Sequence, residues 1–135
     1  MKIAEFINAR TMKKMCLEIE KSGGNEVFFR GIPNGEGIVS EVEIIARGNS
    51  SSVAALLNMM RKNEVIIHNH PSGVLIPSDE DVNISSMYGE VGGASYIVNN
   101  DVDDICVVVP LREFIKIDID DYFGENGIIH KTFKK

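Results

Sequence analysis

Three stretches of the chain repeat apolar residues at the spacing i, i+3, i+4, i+7, which places them on one face of a helix. These positions are Met12, Met15, Cys16 and Ile19 in the first stretch, Val53, Leu56, Leu57 and Met60 in the second, and Ile84, Met87, Tyr88 and Val91 in the third. Gly23-Gly24 ends the first predicted helix, and serines 50–52 offer N-caps for the second. The third begins near Ser78 with three acidic residues in its first turn, where they interact favourably with the helix dipole. The pattern therefore predicts three amphipathic helices.

Short apolar runs between and after these helices predict strands at 27–29, 38–45, 65–67, 95–98 and 105–109. Residues 31–35, rich in Gly, Pro and Asn, predict a loop. Isoleucines 115, 117 and 119 alternate with charged residues, which indicates a half-buried edge strand. Because strands and helices interleave, we expect a single three-layer α/β domain with a mixed β-sheet flanked by helices.

Composition and charge narrow the class of protein. The 135 residues are 44% apolar and 25% charged, as in an ordinary globular domain. The net charge of -6 disfavours nucleic-acid binding, and the absence of a long apolar run disfavours a membrane protein. The charged start of the chain is unlike a secretory signal, and the two isolated cysteines, Cys16 and Cys106, are expected to stay reduced. We therefore expect a cytoplasmic protein.

Two of the three histidines, His68 and His70, stand one residue apart at the end of the most apolar predicted strand. Alternate residues of a strand point to the same side, so the two imidazoles are expected to converge. A carboxylate, Asp81, returns in the first turn of the third predicted helix. Two imidazoles and one carboxylate are a ligand set of catalytic zinc, which keeps a fourth position open for water. The spacing therefore predicts a metal site.

Ser78 and Asp81 also match the capping box S-x-x-D, so these two residues can serve only to start a helix. Capping does not account for two histidines on one side of a strand. It also does not account for the Pro-Ser-Gly turn at 71–73, which brings the chain back toward them. The joint pattern favours the metal site.

The run from His68 to Asp81 reads H-x-H, seven residues, Ser, two residues and Asp. It resembles the JAMM (MPN+ or JAB) motif of zinc-dependent metalloproteases, whose members include deubiquitinating isopeptidases. Segments 68–73 and 77–78 look most like the bacterial and archaeal RadC-like branch, and the order of helices and strands over 12–109 is also similar. The resemblance implies an MPN/JAB-like domain over 1–119, with a cytidine-deaminase-like architecture, and a C-terminal tail or linker over 120–135.

Carried over by position, the resemblance makes His68, His70 and Asp81 the ligands of a Zn²⁺ ion. It gives the Ser78 hydroxyl the role of hydrogen-bonding the oxyanion of a tetrahedral intermediate.

The family's remaining element is an upstream glutamate, and Glu26 occupies its place at the start of the first predicted strand. In that role Glu26 would accept a proton from the attacking water and deliver it to the leaving amine. Glu41 and Glu43 on the second predicted strand are the alternative bases, and Glu26 can also be simply an exposed carboxylate at a strand start.

The resemblance implies a metallopeptidase or isopeptidase that hydrolyses amide bonds of a protein or peptide substrate, including conjugates of ubiquitin-like proteins. HExxH is absent, and so is a His-x-Glu with a later Pro-Cys-x-x-Cys, which excludes zincins and zinc deaminases. The apolar loop 74–76 either packs beneath the site or contacts substrate.

The alternative is a RadC-like zinc-binding accessory or partner-binding module of a DNA-repair or helicase protein. Residues 120–127 resemble the segment that opens DinG-like and XPD-like helicases.

Overall fold

The computed structural model describes residues 3–48, 60, 61, 63–89, 94–110 and 128–134. A short 3-10 helix, Ile3–Glu5, opens the described chain. The remaining elements are α1 (Ala9–Lys21), β1 (Val27–Pro33), β2 (Val39–Arg47), β3 (Val65–Asn69), α2 (Asp79–Gly89), β4 (Ala94–Val98), β5 (Asp104–Pro110) and β6 (Ile128–Lys134). The six strands form one sheet in the order β2-β1-β3-β4-β5-β6. Only β3 and β4 pair in parallel among these strands, so the sheet is mixed.

Helix α1 covers one face of the sheet. Asn8 caps it by accepting a hydrogen bond from the Thr11 N–H at 2.9 Å, and Gly23 and Gly24 follow its end with positive φ angles. Its predicted apolar face is buried against alternate residues of the central strands. The members of this cluster include Met12, Met15, Ile19, Phe29, Ile67 and Tyr96. The first predicted helix is therefore confirmed.

Helix α2 lies on the opposite face, where Ile84 and Tyr88 pack against Phe28 and Ile66. The prediction that Met87 belongs to this buried stripe is wrong, because its side chain is 46% exposed. The helix turns Asp81, Ile84, Ser85 and Tyr88 toward the sheet, and Met87 lies outside that face. With α1 and α2 on opposite faces of a mixed sheet, the expected layered α/β class is confirmed for the described residues.

Strand β1 is longer than the sequence indicated, because it continues through Gly31 to Pro33 where a loop was expected. Gly31 pairs with Val42 on one side and Val65 on the other. A Cβ atom at Gly31 would lie 2.9 Å from the Ile67 Cδ1 atom, so the glycine permits close packing within the sheet rather than a turn.

The structure describes part of the C-terminal segment. Residues 128–134, in the segment interpreted as a tail or linker, form β6 and pair with β5 along their length. The division of the chain at residue 119 stays a prediction. The expected edge strand at 115–119 and the helicase-like segment 120–127 lie outside the described residues, as does the second predicted helix apart from Met60. No helix within the described residues is long and apolar enough to cross a lipid bilayer.

Asn69 joins three parts of the fold at the end of β3. Its fully buried side chain points away from the two neighbouring histidines. The Oδ1 atom accepts a hydrogen bond from the Val27 N–H at 2.8 Å, and Nδ2 donates to Asn100 Oδ1 at 2.6 Å and to the Asn25 carbonyl at 3.3 Å. No sequence pattern indicated this role, because asparagine is a common loop residue.

Replacing Asn69 with Ala should lower the free energy of unfolding by about 2–3 kcal/mol, because the buried Val27 N–H would lose its acceptor. Urea denaturation measures the change. The matched control is Asn83→Ala, at an exposed position of α2, which should change stability by less than about 0.5 kcal/mol. Equal stability of the two variants would contradict the assignment.

Candidate metal centre

The pairing of β1 with β3 brings Glu26 to the two histidines. Phe28 lies opposite His68 in this antiparallel ladder, so the same register continued by two residues places Glu26 opposite His70. One ligand atom from each of Glu26, His68 and His70 lies within 4.8 Å of the other two. These three side chains form a group that can hold a metal ion.

Asp81 reaches the same point from the first turn of α2. Its Oδ1 lies 3.0 Å from His68 Nε2, and its Oδ2 lies 2.9 Å from His70 Nε2. The two Nε2 atoms are themselves 3.2 Å apart. The structure therefore brings together all three residues predicted as ligands, with Glu26 beside them.

The capping box is formed as well. The Ser78 N–H donates to Asp81 Oδ2 at 2.9 Å, and the Asp81 N–H donates to Ser78 Oγ at 3.1 Å. The two interpretations of Ser78 and Asp81 are compatible, because one carboxylate caps the helix and contacts both imidazoles. The Ser78 Oγ accepts in this box, which leaves its hydroxyl proton to donate elsewhere.

A backbone carbonyl fixes the tautomer of His70. Its Nδ1 lies 2.8 Å from the Val74 carbonyl oxygen, which only accepts, so Nδ1 carries a proton. In neutral His70 the lone pair is then on Nε2, facing the Asp81 carboxylate and His68. The Nε2 lone pair and the Asp81 Oδ2 atom are both acceptors, and at 2.9 Å they repel each other unless a proton or a metal cation lies between them.

The charges of the site follow from the same contacts. Burial disfavours the ionised Asp81 carboxylate, but hydrogen bonds from His68 and from the protonated form of His70 outweigh burial and hold its pKa well below the usual range. The hydrogen bond to Asp81 raises the pKa of His70, against an opposing effect of burial. Burial also raises the pKa of Glu26, which the nearby His68 offsets only in part. The ionised Asp81 carboxylate and the two imidazoles can thus share a cation, whether a proton or a metal ion.

The alternative bases lie elsewhere. Glu43 is 3.5 Å from the Arg30 guanidinium, and Glu41 is exposed on the edge strand β2. Glu26 is half-buried, unlike a fully solvated carboxylate at a strand start.

Two contacts at the site were not predicted. The Phe28 ring stacks on the His68 imidazole with 4.7 Å between ring centroids, and the Val74 carbonyl orients His70. In the apolar loop, Leu75 is buried while Val74 and Ile76 are 55% and 69% exposed. The loop therefore packs onto the sheet through one residue and presents the other two to solvent.

Comparison of the sequence with models of known protein families and with curated proteins gives no match.

If these side chains hold a divalent ion, adding Zn²⁺ at about 100 times its dissociation constant should stabilise the protein by about 2.7 kcal/mol. Thermal unfolding with and without the ion measures this effect. His68→Gln should abolish the stabilisation, whereas His130→Gln, three strands away in β6, should retain it. Equal stabilisation of both variants would place the ion at another site.

Proposed function

We propose that this chain is a JAMM-type zinc metallopeptidase or isopeptidase that hydrolyses amide bonds of a protein or peptide substrate. The observation that supports it most directly is the convergence of His68 Nε2, His70 Nε2 and the Asp81 carboxylate within 3.2 Å, with Glu26 beside them. Conjugates of ubiquitin-like proteins are the substrate class that the motif suggests.

The donor set fits zinc. Two imidazole nitrogens and a carboxylate oxygen are the protein ligands of several catalytic zinc sites. Ligand distances of about 2.0–2.1 Å imply about 3.3 Å between neighbouring donors of a tetrahedron. The separations of 2.9–3.2 Å in this site are slightly shorter, so His68, His70 and Asp81 need to move apart only slightly. A bound zinc ion would supply a water whose pKa is lowered to about 7.

Glu26 is the general base of the proposed reaction. It accepts a proton from the attacking water as oxygen adds to the scissile carbonyl, and it then delivers this proton to the departing amine. Its burial raises the pKa of the carboxyl group, which suits a residue that must hold the proton between the two steps.

Ser78 donates its hydroxyl proton to the oxyanion that forms on the former carbonyl oxygen. The capping box supports this assignment, because the Asp81 N–H holds the Ser78 oxygen as an acceptor and fixes its place beside the ligands. The side chains of Val74 and Ile76 are exposed in the loop whose Val74 carbonyl contacts His70, and they suit contact with an apolar side chain of a peptide substrate.

Glu26→Gln should keep one zinc per chain but lower the turnover of peptide or isopeptide substrates by about 10²–10⁴-fold, because it removes the proton acceptor. Metal analysis and a cleavage screen, with a chelator as blank, measure the two quantities. Glu41→Gln is the matched control and should keep full turnover. Unchanged turnover in Glu26→Gln would exclude Glu26 as the base.

Ser78→Gly should lower turnover by about 10²-fold, because the oxyanion loses a hydrogen bond. Glycine is also a tolerated N-cap, so the stability of α2 should change by only a few tenths of a kcal/mol, about the limit of detection. Ser78→Thr, which keeps a hydroxyl, should restore most of the activity. Loss of activity in both variants with an unchanged thermal midpoint would contradict the role.

The accessory-module alternative makes the opposite prediction for the same variants. A zinc-binding module that only binds a partner should lack turnover in the wild type and lose nothing on Glu26→Gln. The cleavage screen therefore separates the two functions.

A further inference from the structure

A small cavity lies directly beneath the candidate metal centre, between α2 and the sheet. Its volume of about 10 Å³ is close to the minimum that admits the centre of one water molecule. His68, Asp81 and Ser95 on β4 are the polar residues of its wall. Aliphatic side chains, including Ile66, Ile84 and Ile97, complete the lining.

Ser95 is buried in this wall. It lies beside Ile66 in the parallel ladder of β3 and β4 and is only 6% exposed. Its Oγ atom has no hydrogen-bond partner within the described part of the chain. Leaving a buried hydroxyl without a partner costs free energy, so such groups in native proteins are usually satisfied by protein or by ordered water.

The two histidines differ at their second ring nitrogen. His70 Nδ1 donates to the Val74 carbonyl, as expected for a ligand that must present Nε2. His68 presents Nε2 to Asp81 and His70, but across the described residues its Nδ1 has no hydrogen-bond partner. A metal-bound histidine almost always donates this N–H to a carboxylate, a carbonyl or a water.

We propose that one buried water in this cavity accepts the His68 Nδ1–H and is held by the Ser95 hydroxyl, which makes Ser95 a positioning residue of the metal centre. This inference rests on the proposed metal site. The water does for His68 what the Val74 carbonyl does for His70: it fixes the tautomer that presents Nε2 to the ion. Ser95 acts through the water and touches neither metal nor substrate.

A second serine provides a matched control. Ser85 lies on α2 one turn after Asp81, is 1% exposed, and likewise has an Oγ atom without a partner within the ranges that the structure describes. It does not line the cavity. Ser85→Ala therefore removes a buried hydroxyl at similar structural cost without touching the water.

The test compares the full chain with its Ser95→Ala and Ser85→Ala variants. Ser95→Ala should weaken zinc binding by about 10-fold, because loss of a group that orients a metal ligand typically lowers metal affinity by about 10- to 100-fold. Competition with a chromophoric chelator measures the affinity. The visible spectrum of the Co²⁺-loaded protein should also change in Ser95→Ala, because His68 would be less well oriented, and a nuclear Overhauser cross-peak between water and the Ser95 amide should disappear. Ser85→Ala should keep all three properties.

Two results would overturn the positioning role of Ser95 without affecting the proposed function. In the first, Ser95→Ala binds zinc as tightly as the wild type. In the second, Ser95→Ala and Ser85→Ala lose zinc affinity equally. A wild-type chain that takes up no zinc would overturn the proposed function and this role together. The cross-peak is measured on the metal-free protein, so its absence from the wild type would overturn the buried water independently of zinc.

Discussion

The Asp81 carboxylate is the group on which both the candidate site and the start of α2 depend. It accepts the Ser78 N–H at the helix N-terminus and contacts the Nε2 atoms of His68 and His70 with its two oxygens. Helix α2 in turn packs against the sheet through Ile84 and Tyr88. The Asp81 side chain thus contacts both the start of α2 and the end of β3. The contacts that bring the candidate ligands together therefore also fix the distance between this helix and this strand.

The site places two carboxylates, those of Asp81 and Glu26, in surroundings that partly exclude water. Burial alone would raise the pKa of Asp81, and hydrogen bonds from the two histidines, with a smaller effect of the Ser78 N–H, keep that pKa low. Glu26 has no comparable donor among the residues that the structure describes, so burial raises its pKa, and the negative Asp81 adds to the effect. The environments of these two carboxylates therefore move their pKa values in opposite directions, the arrangement from which acid and base roles are assigned in a site. The pKa values of Asp81 and Glu26 therefore differ because Asp81 accepts hydrogen bonds from the imidazoles and Glu26 does not.

Local rules predicted the parts of the site that lie close together in sequence. The two-residue period of a strand placed His68 and His70 on one side, and the capping box placed Asp81 in the first helical turn. The position of Glu26 depends on the register of β1 against β3, which pairs residues about forty apart, and no local pattern distinguished it from Glu41 or Glu43. The extension of β1 through Gly31 was missed for a related reason, since glycine and proline indicate turns unless the neighbouring strands are known.

The orientation of His70 depends on the hydrophobic core through a short chain of contacts. Its Nδ1–H is held by the Val74 carbonyl, and the next residue, Leu75, is buried against Ile97, Cys106 and Val108 on the sheet. Burial of one leucine side chain contributes about 1.5–3 kcal/mol, more than the roughly 1 kcal/mol of a typical hydrogen bond. The packing of Leu75 therefore sets the position of the carbonyl, and the carbonyl sets the imidazole. His68 is held differently, by its place in a central strand and by stacking on Phe28, so a ring contact orients the first imidazole and a backbone carbonyl orients the second.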